Sequence, residues 1–192
     1  MVGLTPQRRL NTSIKAKTNT TLALIFMMVI TIGACTPRVQ LPILYEAPGF
    51  ALTNQDSLEV ELSDFRGKVV VLNFFYARCP DICGEMSFKL QGVWQQLEEE
   101  LRQDLDFISV SFDLYDTTEV LKKYAKIYDV PGWQFLTGTE EQISQVKNDY
   151  GVAVFPVGPD KWEMAHNMVI ALIDRDGMVR KTYGDLEFQE KD

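Results

Sequence analysis

The chain has a single histidine, His166, and three cysteines, Cys35, Cys79 and Cys83, among 192 residues. A structural zinc site generally wants four protein ligands, so without Cys35 such a site would have to borrow an Asp or Glu. Positive charge is also scarce, with 19 Lys and Arg against 27 Asp and Glu and a net charge of −8. A surface of that sign repels a phosphate backbone, which excludes nucleic acid as a partner; it suits a cationic partner or a metal ion, or simply keeps the protein soluble. The apolar run "TLALIFMMVITIGA" is about 14 residues long, short of the ~20 a membrane span needs. There is no internal repeat and no low-complexity tract, and this length is that of one domain.

What is present begins with a targeting pattern. Arg8, Arg9, Lys15 and Lys17 precede the apolar run, and no acid occurs before Cys35. The run ends in "IGAC", small residues before a cysteine, which resembles a bacterial lipobox. That resemblance implies cleavage before Cys35 and lipidation of its thiol; an ordinary signal peptide or a short anchor is the alternative. The expected division is a lipoprotein signal peptide at 1–34, a proline-containing tether at 35–48 and a folded domain at 49–192. The mature domain would stand outside the cytoplasm, lipid-anchored in a bacterial cell envelope. Loss of residues 1–34 removes four of the 19 basic residues and no acid, leaving a net charge of −12 on 158 residues. The compartment is oxidising, so Cys79 and Cys83 could form a disulfide.

Within the domain, "SLEVEL" alternates as a short strand does. "KVVVLNFF" is a continuous β-branched and aromatic run, the pattern of a strand buried on both faces. Met86, Leu90, Val93, Trp94, Leu97 and Leu101 recur at helical spacing and predict a helix from Cys83 to Leu101. "DFISVSFD" is a second buried strand. Asp116 and Glu119 have capping-box spacing ahead of a helix in "DTTEVLKKYAKIY". "WQFL" predicts a brief strand, and Thr139 with Gln142 a second capping box. "NMVIALID" and "MVRKTYG" flank an Asp176-Gly177 turn, a hairpin signal. Strands alternating with helices and closing on a hairpin predict an α/β domain with a largely parallel central sheet, an antiparallel edge and helices on both faces.

Cys79 and Cys83 follow the buried strand directly and are separated by three residues. Pro80 fits the first helical position, which would make Cys79 the N-cap and place both thiols at a helix N-terminus, where negative charge is favoured. Arg78 adds positive charge and Asp81 opposes it. If that turn is helical, the two Cβ atoms lie ~5–6 Å apart, wider than the ~3.8 Å of a relaxed disulfide, and a third body between the sulfurs fits more easily. The bland alternative is two small apolar core residues. His166 lies two residues before "MVIALID", a segment expected beside the strand that ends at the cysteines. Two thiolates and one imidazole suit Cu(I), with Zn(II) as competitor.

The stretches "LSDFRGKVVVLNFFYARCPDIC", "SVSFDLYDTTEVLKKYA" and "AHNMVIALIDRDG" resemble the Sco/SenC family of membrane-tethered, thioredoxin-fold proteins. The resemblance implies a thioredoxin-like fold with an extra strand and helix at "WQFL" and "TEEQISQVKNDYG". It implies copper, Cu(I) first and Cu(II) second, held by Cys79, Cys83 and His166. It also implies a role in building the dinuclear CuA centre of cytochrome c oxidase, with the CuA-bearing subunit and a thiol reductant protein as partners. The chain departs from the family at Ala165, where an Asp is usual, at Gly84, where a proline often stands, and at "DLYD", which is one residue shorter than the family loop and lacks its proline. Only "DLEFQEKD" follows the last expected strand, so the closing helix of the fold is expected to be truncated. The competing function is thiol–disulfide exchange on partner cysteines through Cys79 and Cys83. Against it stand the longer spacing and the lack of a proline between Asp160 and Asp174, where thioredoxin-like enzymes place one. A peroxidase motif fits neither cysteine.

Overall fold

A computed structural model describes residues 40–80, 82–128, 130–157 and 163–184. The described residues from 41 onward belong to one compact unit. The expected signal peptide, Cys35 and the first five residues of the expected tether lie outside the described residues, as do Asp81 and the segment after residue 184 on which the truncated closing helix was expected. No helix among the described residues is long and apolar enough to cross a membrane.

The chain enters through β1 (Tyr45–Glu46), then β2 (Ala51–Asn54), β3 (Glu59–Glu61) and a 3-10 turn at Leu62–Phe65. The apolar run forms β4 (Val69–Phe75), which feeds α1 (Ile82–Gln96) and a short α2 (Glu99–Arg102). Next come β5 (Leu105–Ser111), α3 (Thr118–Ala125), β6 (Gln134–Thr137) and α4 (Glu140–Asp149). A small two-stranded ribbon, β7 (Val154–Val157) with β8 (Glu163–His166), precedes β9 (Ile170–Ile173) and β10 (Met178–Tyr183).

The main sheet has the order β1-β10-β9-β4-β5-β6-β2-β3. β4, β5 and β6 run parallel, and β9 lies antiparallel to β4 with Asn73 opposite Ile170. The Asp174–Gly177 turn joins β9 to β10, and Gly177 takes φ 75°, a conformation that suits a residue without a Cβ. β1 pairs with β10 and Leu44 N–H donates to Val179 O, so the last part of the 35–48 segment is docked on the sheet rather than hanging as a tether. β2, which the sequence reading did not single out, pairs with both β3 and β6.

Strand alternation places consecutive β4 side chains on opposite faces, and both faces are covered. Phe74 packs on Tyr150 at the end of α4, with ring centroids 5.7 Å apart. Phe75 packs on Tyr124 of α3 at 4.9 Å, and Asn73, on the same side as Phe75, contacts Met86 of α1. Full burial of each such aromatic or leucine side chain contributes roughly 1.5–3 kcal/mol. A polar chain crosses this core: Trp133 Nε1 donates to Ser109 Oγ at 2.8 Å, and Ser109 Oγ donates to Asn73 Oδ1 at 2.6 Å. The fold is a mixed α/β, thioredoxin-like one with helices on both faces of its central sheet.

Two helix ends differ from the sequence pattern. The expected 83–101 helix stops at Gln96, and Glu98 adopts extended backbone as the N-cap of α2. The α3 cap is Thr117, whose hydroxyl accepts from Val120 N–H, and not Asp116. The Thr139–Gln142 capping box forms as expected.

Candidate metal and thiol site

β4 ends at Phe75, and the residues that follow carry the chain from sheet to a helix described from Ile82. Cys79 N–H donates to Tyr76 O at 3.2 Å, closing a turn, and the helix is established at Ile82. Pro80 therefore lies outside the helix and Cys79 is not its N-cap. Cys83 is in the first helical turn and faces the core at 1% exposure, whereas Cys79 is half-buried at the surface. The two cysteines are reduced. Burial, followed by the neighbouring Cys79 side chain, pushes the Cys83 thiol well above its ordinary range. Cys83 thus carries its proton at neutral pH.

The residues before Cys79 each hold a different neighbour. Tyr76 places its hydroxyl 3.4 Å from Met164 O and 3.5 Å from Met164 N. Burial pushes the Tyr76 hydroxyl up to about 12, so it keeps its proton across the physiological range. Ala77 N–H donates to Asp116 Oδ2 at 2.7 Å. Arg78 Nε donates to Asp113 Oδ2 at 2.5 Å and lies over the Tyr115 ring. The cation expected to sit beside the cysteine pair is therefore engaged by a carboxylate. Asp116 also accepts from Ser111 Oγ at 2.6 Å; burial raises its pKa and these hydrogen bonds oppose the rise.

The antiparallel direction of β9 brings its start, and hence His166, to the end of β4 where the cysteines are. His166 is the last residue of β8, opposite Val154. Asn167 fastens the base of that ribbon: its Oδ1 accepts from Ala153 N–H at 2.7 Å and its Nδ2 donates to Gly151 O at 3.0 Å. The carbonyl of Asn167 lies 3.0 Å from His166 Nδ1. A carbonyl can only accept, so Nδ1 carries the proton and a neutral ring presents its lone pair at Nε2. Nε2 lies 3.8 Å from Cys83 Sγ. The ring is held edge-to-face against Phe112, at 4.8 Å between centroids, and against Tyr76 at 6.0 Å.

One metal with bonds of ~2.0–2.3 Å to a nitrogen and a sulfur keeps those atoms about 3.5–3.8 Å apart. The Cys83–His166 separation fits that span. As placed, the three side chains do not complete a ligand set: among the described residues no group of three His, Cys, Asp or Glu stands in metal-holding geometry. An open cleft of about 290 Å³ is lined by Tyr76, Cys79, Pro80, Ile82, Met164 and His166.

Sequence reasoning brought forward Cys79, Cys83 and His166. It missed Tyr76 and Asn167 and misassigned Asp116 as a cap. The neighbours of Asn167 in sequence carry no sign of its role, whereas Tyr76 lies in the same "YARC" turn as the first cysteine.

A thioredoxin-like fold with two thiols at a strand-to-helix corner, met by an imidazole from the ribbon opposite, defines a class of thiol- or metal-handling domain. The profile described as SCO1/SenC matches residues 44–191, and the chain belongs to that family. It is similar to copper-bound ScoI of Bradyrhizobium japonicum, at 26% identity and TM-score 0.68 over 76% of this chain and 93% of that one. It is similar to a SCO1/SenC family lipoprotein of Bacillus anthracis, at 29% identity and TM-score 0.67 over 77% and 89%. BsSco, described as having a disulfide switch and as a member of the Sco family of cytochrome c oxidase assembly proteins, matches at 29% identity and TM-score 0.63 over 77% and 88%.

Proposed function

We propose that the protein is a membrane-tethered copper chaperone that holds copper through Cys79, Cys83 and His166 and assists assembly of the CuA centre of cytochrome c oxidase. The observation that carries this reading is the 3.8 Å approach of His166 Nε2 to Cys83 Sγ, with the ring tautomer set by Asn167. The donor set is soft, two sulfurs and one nitrogen, and suits Cu(I). Copper is cargo here, and an open cleft lined by Cys79 and His166 leaves it reachable by an acceptor. Cys79 completes the set by a side-chain rotation, and both thiols give up their protons as the metal enters. The copper-bound ScoI relative and the lipoprotein relative support the cargo and the anchor respectively. Lipidation of Cys35 would hold the acidic domain at the outer face of the cell membrane.

The test is copper stoichiometry in reduced protein, with Cys79, Cys83 and His166 each changed to Ala. One copper per chain is expected in the parent, with loss of retention after desalting in each variant. Full retention by His166→Ala removes the imidazole from the site and with it this reading.

A second reading, thiol–disulfide exchange with partner cysteines, is favoured by two free cysteines at one strand-to-helix corner, one half-buried and one buried. Half-buried Cys79 would be the attacking sulfur and buried Cys83 the resolving one. The two roles are compatible, since reduction of the pair prepares it for metal.

A further inference from the structure

We infer that the Met164 thioether is a fourth, soft donor for Cu(I) in the cleft that Cys79 and His166 line, and that it favours Cu(I) over Zn(II). The inference rests on the copper reading above and adds a ligand to it.

The ribbon puts Met164 on the same side as the histidine. In the β7–β8 pair Val154 stands opposite His166, and Pro156 stands opposite Met164. Residues two apart on a strand share a face, so Met164 and His166 project together while Ala165 points away. The His166 ring on that face reaches Cys83 Sγ and packs on Phe112. Exposure agrees with the assignment. Phe155, paired with Ala165 on the other face, is 63% exposed, whereas Met164 is half-buried and packs against the core.

Met164 also lines the cleft that Cys79 and His166 line. Its backbone is fixed there by Tyr76, whose hydroxyl accepts from Met164 N at 3.5 Å and donates to Met164 O at 3.4 Å. The Tyr76 ring is buried and packs on Phe112, with centroids 5.3 Å apart. A pinned strand position carries a side chain with three rotatable bonds, so the sulfur can swing into the cleft while the main chain stays still.

The chemistry of the donor sets its preference. A thioether is neutral and soft, and with thiolates it selects Cu(I). Zn(II) takes thiolate, imidazole and carboxylate ligands, so it gains little from the methionine sulfur. Among the described residues no three of His, Cys, Asp and Glu stand in metal-holding geometry, and a donor of a fifth type supplements them. A thioether leaves a metal without taking up a proton, so Met164 can yield its place to an acceptor's ligand while the thiolates still hold the ion.

The test loads the reduced protein with one equivalent of Cu(I) or of Zn(II). Met164→Leu keeps size and apolar packing and removes the sulfur. X-ray absorption at the copper edge should count three sulfur neighbours in the parent and two in the variant. Competition with a chelator should show Cu(I) affinity falling about tenfold in Met164→Leu, with Zn(II) affinity within about twofold of the parent. Met178→Leu is the control: it deletes a thioether at the start of β10, opposite Glu46, and should leave both affinities unchanged. Two sulfur neighbours in the parent overturn the inference whatever the affinities do. So does a loss of Cu(I) affinity below about threefold, or an equal loss for Zn(II), which would mark a purely structural effect. A parent that holds Cu(I) and a Met164→Leu variant that holds it equally well sink this inference alone; a parent that holds no Cu(I) sinks the copper reading with it.

Discussion

The Cys83 sulfur and the His166 Nε2 atom are 3.8 Å apart although 83 positions separate the residues. Their meeting depends on the antiparallel placement of β9 against β4, which brings the start of one strand to the end of the other. A parallel β9 would have placed its start, and His166, at the opposite end of β4 from the cysteines.

From that approach follows the effect of oxidation. A disulfide between Cys79 and Cys83 offers no thiolate, so the oxidised domain should take up copper at least tenfold more weakly than the reduced domain, with both thiolate ligands lost. Equilibrium dialysis of the two forms against the same copper buffer measures this. Equal uptake would mean that the thiols are not the ligands.

The raised pKa of Cys83 fixes the sign of the pH dependence. Burial keeps the thiol protonated at neutral pH, so copper must displace that proton. Conditional Cu(I) affinity should therefore rise by at least about tenfold per pH unit between pH 6 and 8, read by competition with a chelator of known proton dependence. The same shift acts on folding without metal. A thiol whose folded pKa is raised contributes stability that is fully present below its ordinary value, 9.0, and is lost as the pH climbs above it. The buried hydroxyls of Tyr124 and Tyr150 are raised by burial as well and act in the same direction above 10.0. Urea midpoints should fall as the pH passes these values, and Cys83→Ser should remove the earliest part of the decline.

Much of this was legible beforehand because it rests on runs and spacings. "KVVVLNFF" reads as a doubly buried strand since it has no polar alternation, and the cysteine spacing is printed in the chain. Helix ends were less legible. Asp116, Thr117 and Thr118 are all capping types, and local pattern cannot say which of them tertiary structure will take for another purpose. The β7–β8 ribbon escaped notice because its strands are short, one contains Pro156, and most of β7 is exposed, so no buried alternation marks it. Asn167 acts through its own side-chain amide and main-chain carbonyl, and a carbonyl leaves no trace in a sequence.

The Arg78–Asp113 pair should matter for the cysteine turn as well as for stability. Asp113 is buried, with its side chain 3% exposed, while the Arg78 guanidinium is 39% exposed and partly screened by water. Arg78→Ala should therefore cost about 1 kcal/mol, at the upper edge of exposed pairs, because it strips a charged partner from a buried carboxylate. Alkylation of Cys79 should quicken as the turn loosens. Urea denaturation and the rate of iodoacetamide labelling report the two effects, and unchanged labelling would confine the pair to a purely structural role.

Asp116 and Thr117 are adjacent and do different work, and a pair of substitutions separates them. Thr117 caps α3, so Thr117→Ala should cost about 1 kcal/mol and leave cysteine labelling unchanged. Asp116 accepts from Ala77 N–H and from Ser111 Oγ, tying the turn before Cys79 to the end of β5. Asp116→Ala orphans both donors in a buried setting and should cost about 2–3 kcal/mol, more than the cap. It should also quicken Cys79 labelling, because Ala77 lies two residues from that thiol. If Asp116→Ala costs no more than Thr117→Ala and labelling is unaffected, Asp116 behaves as a helix cap after all and the tie to the cysteine turn carries no energy.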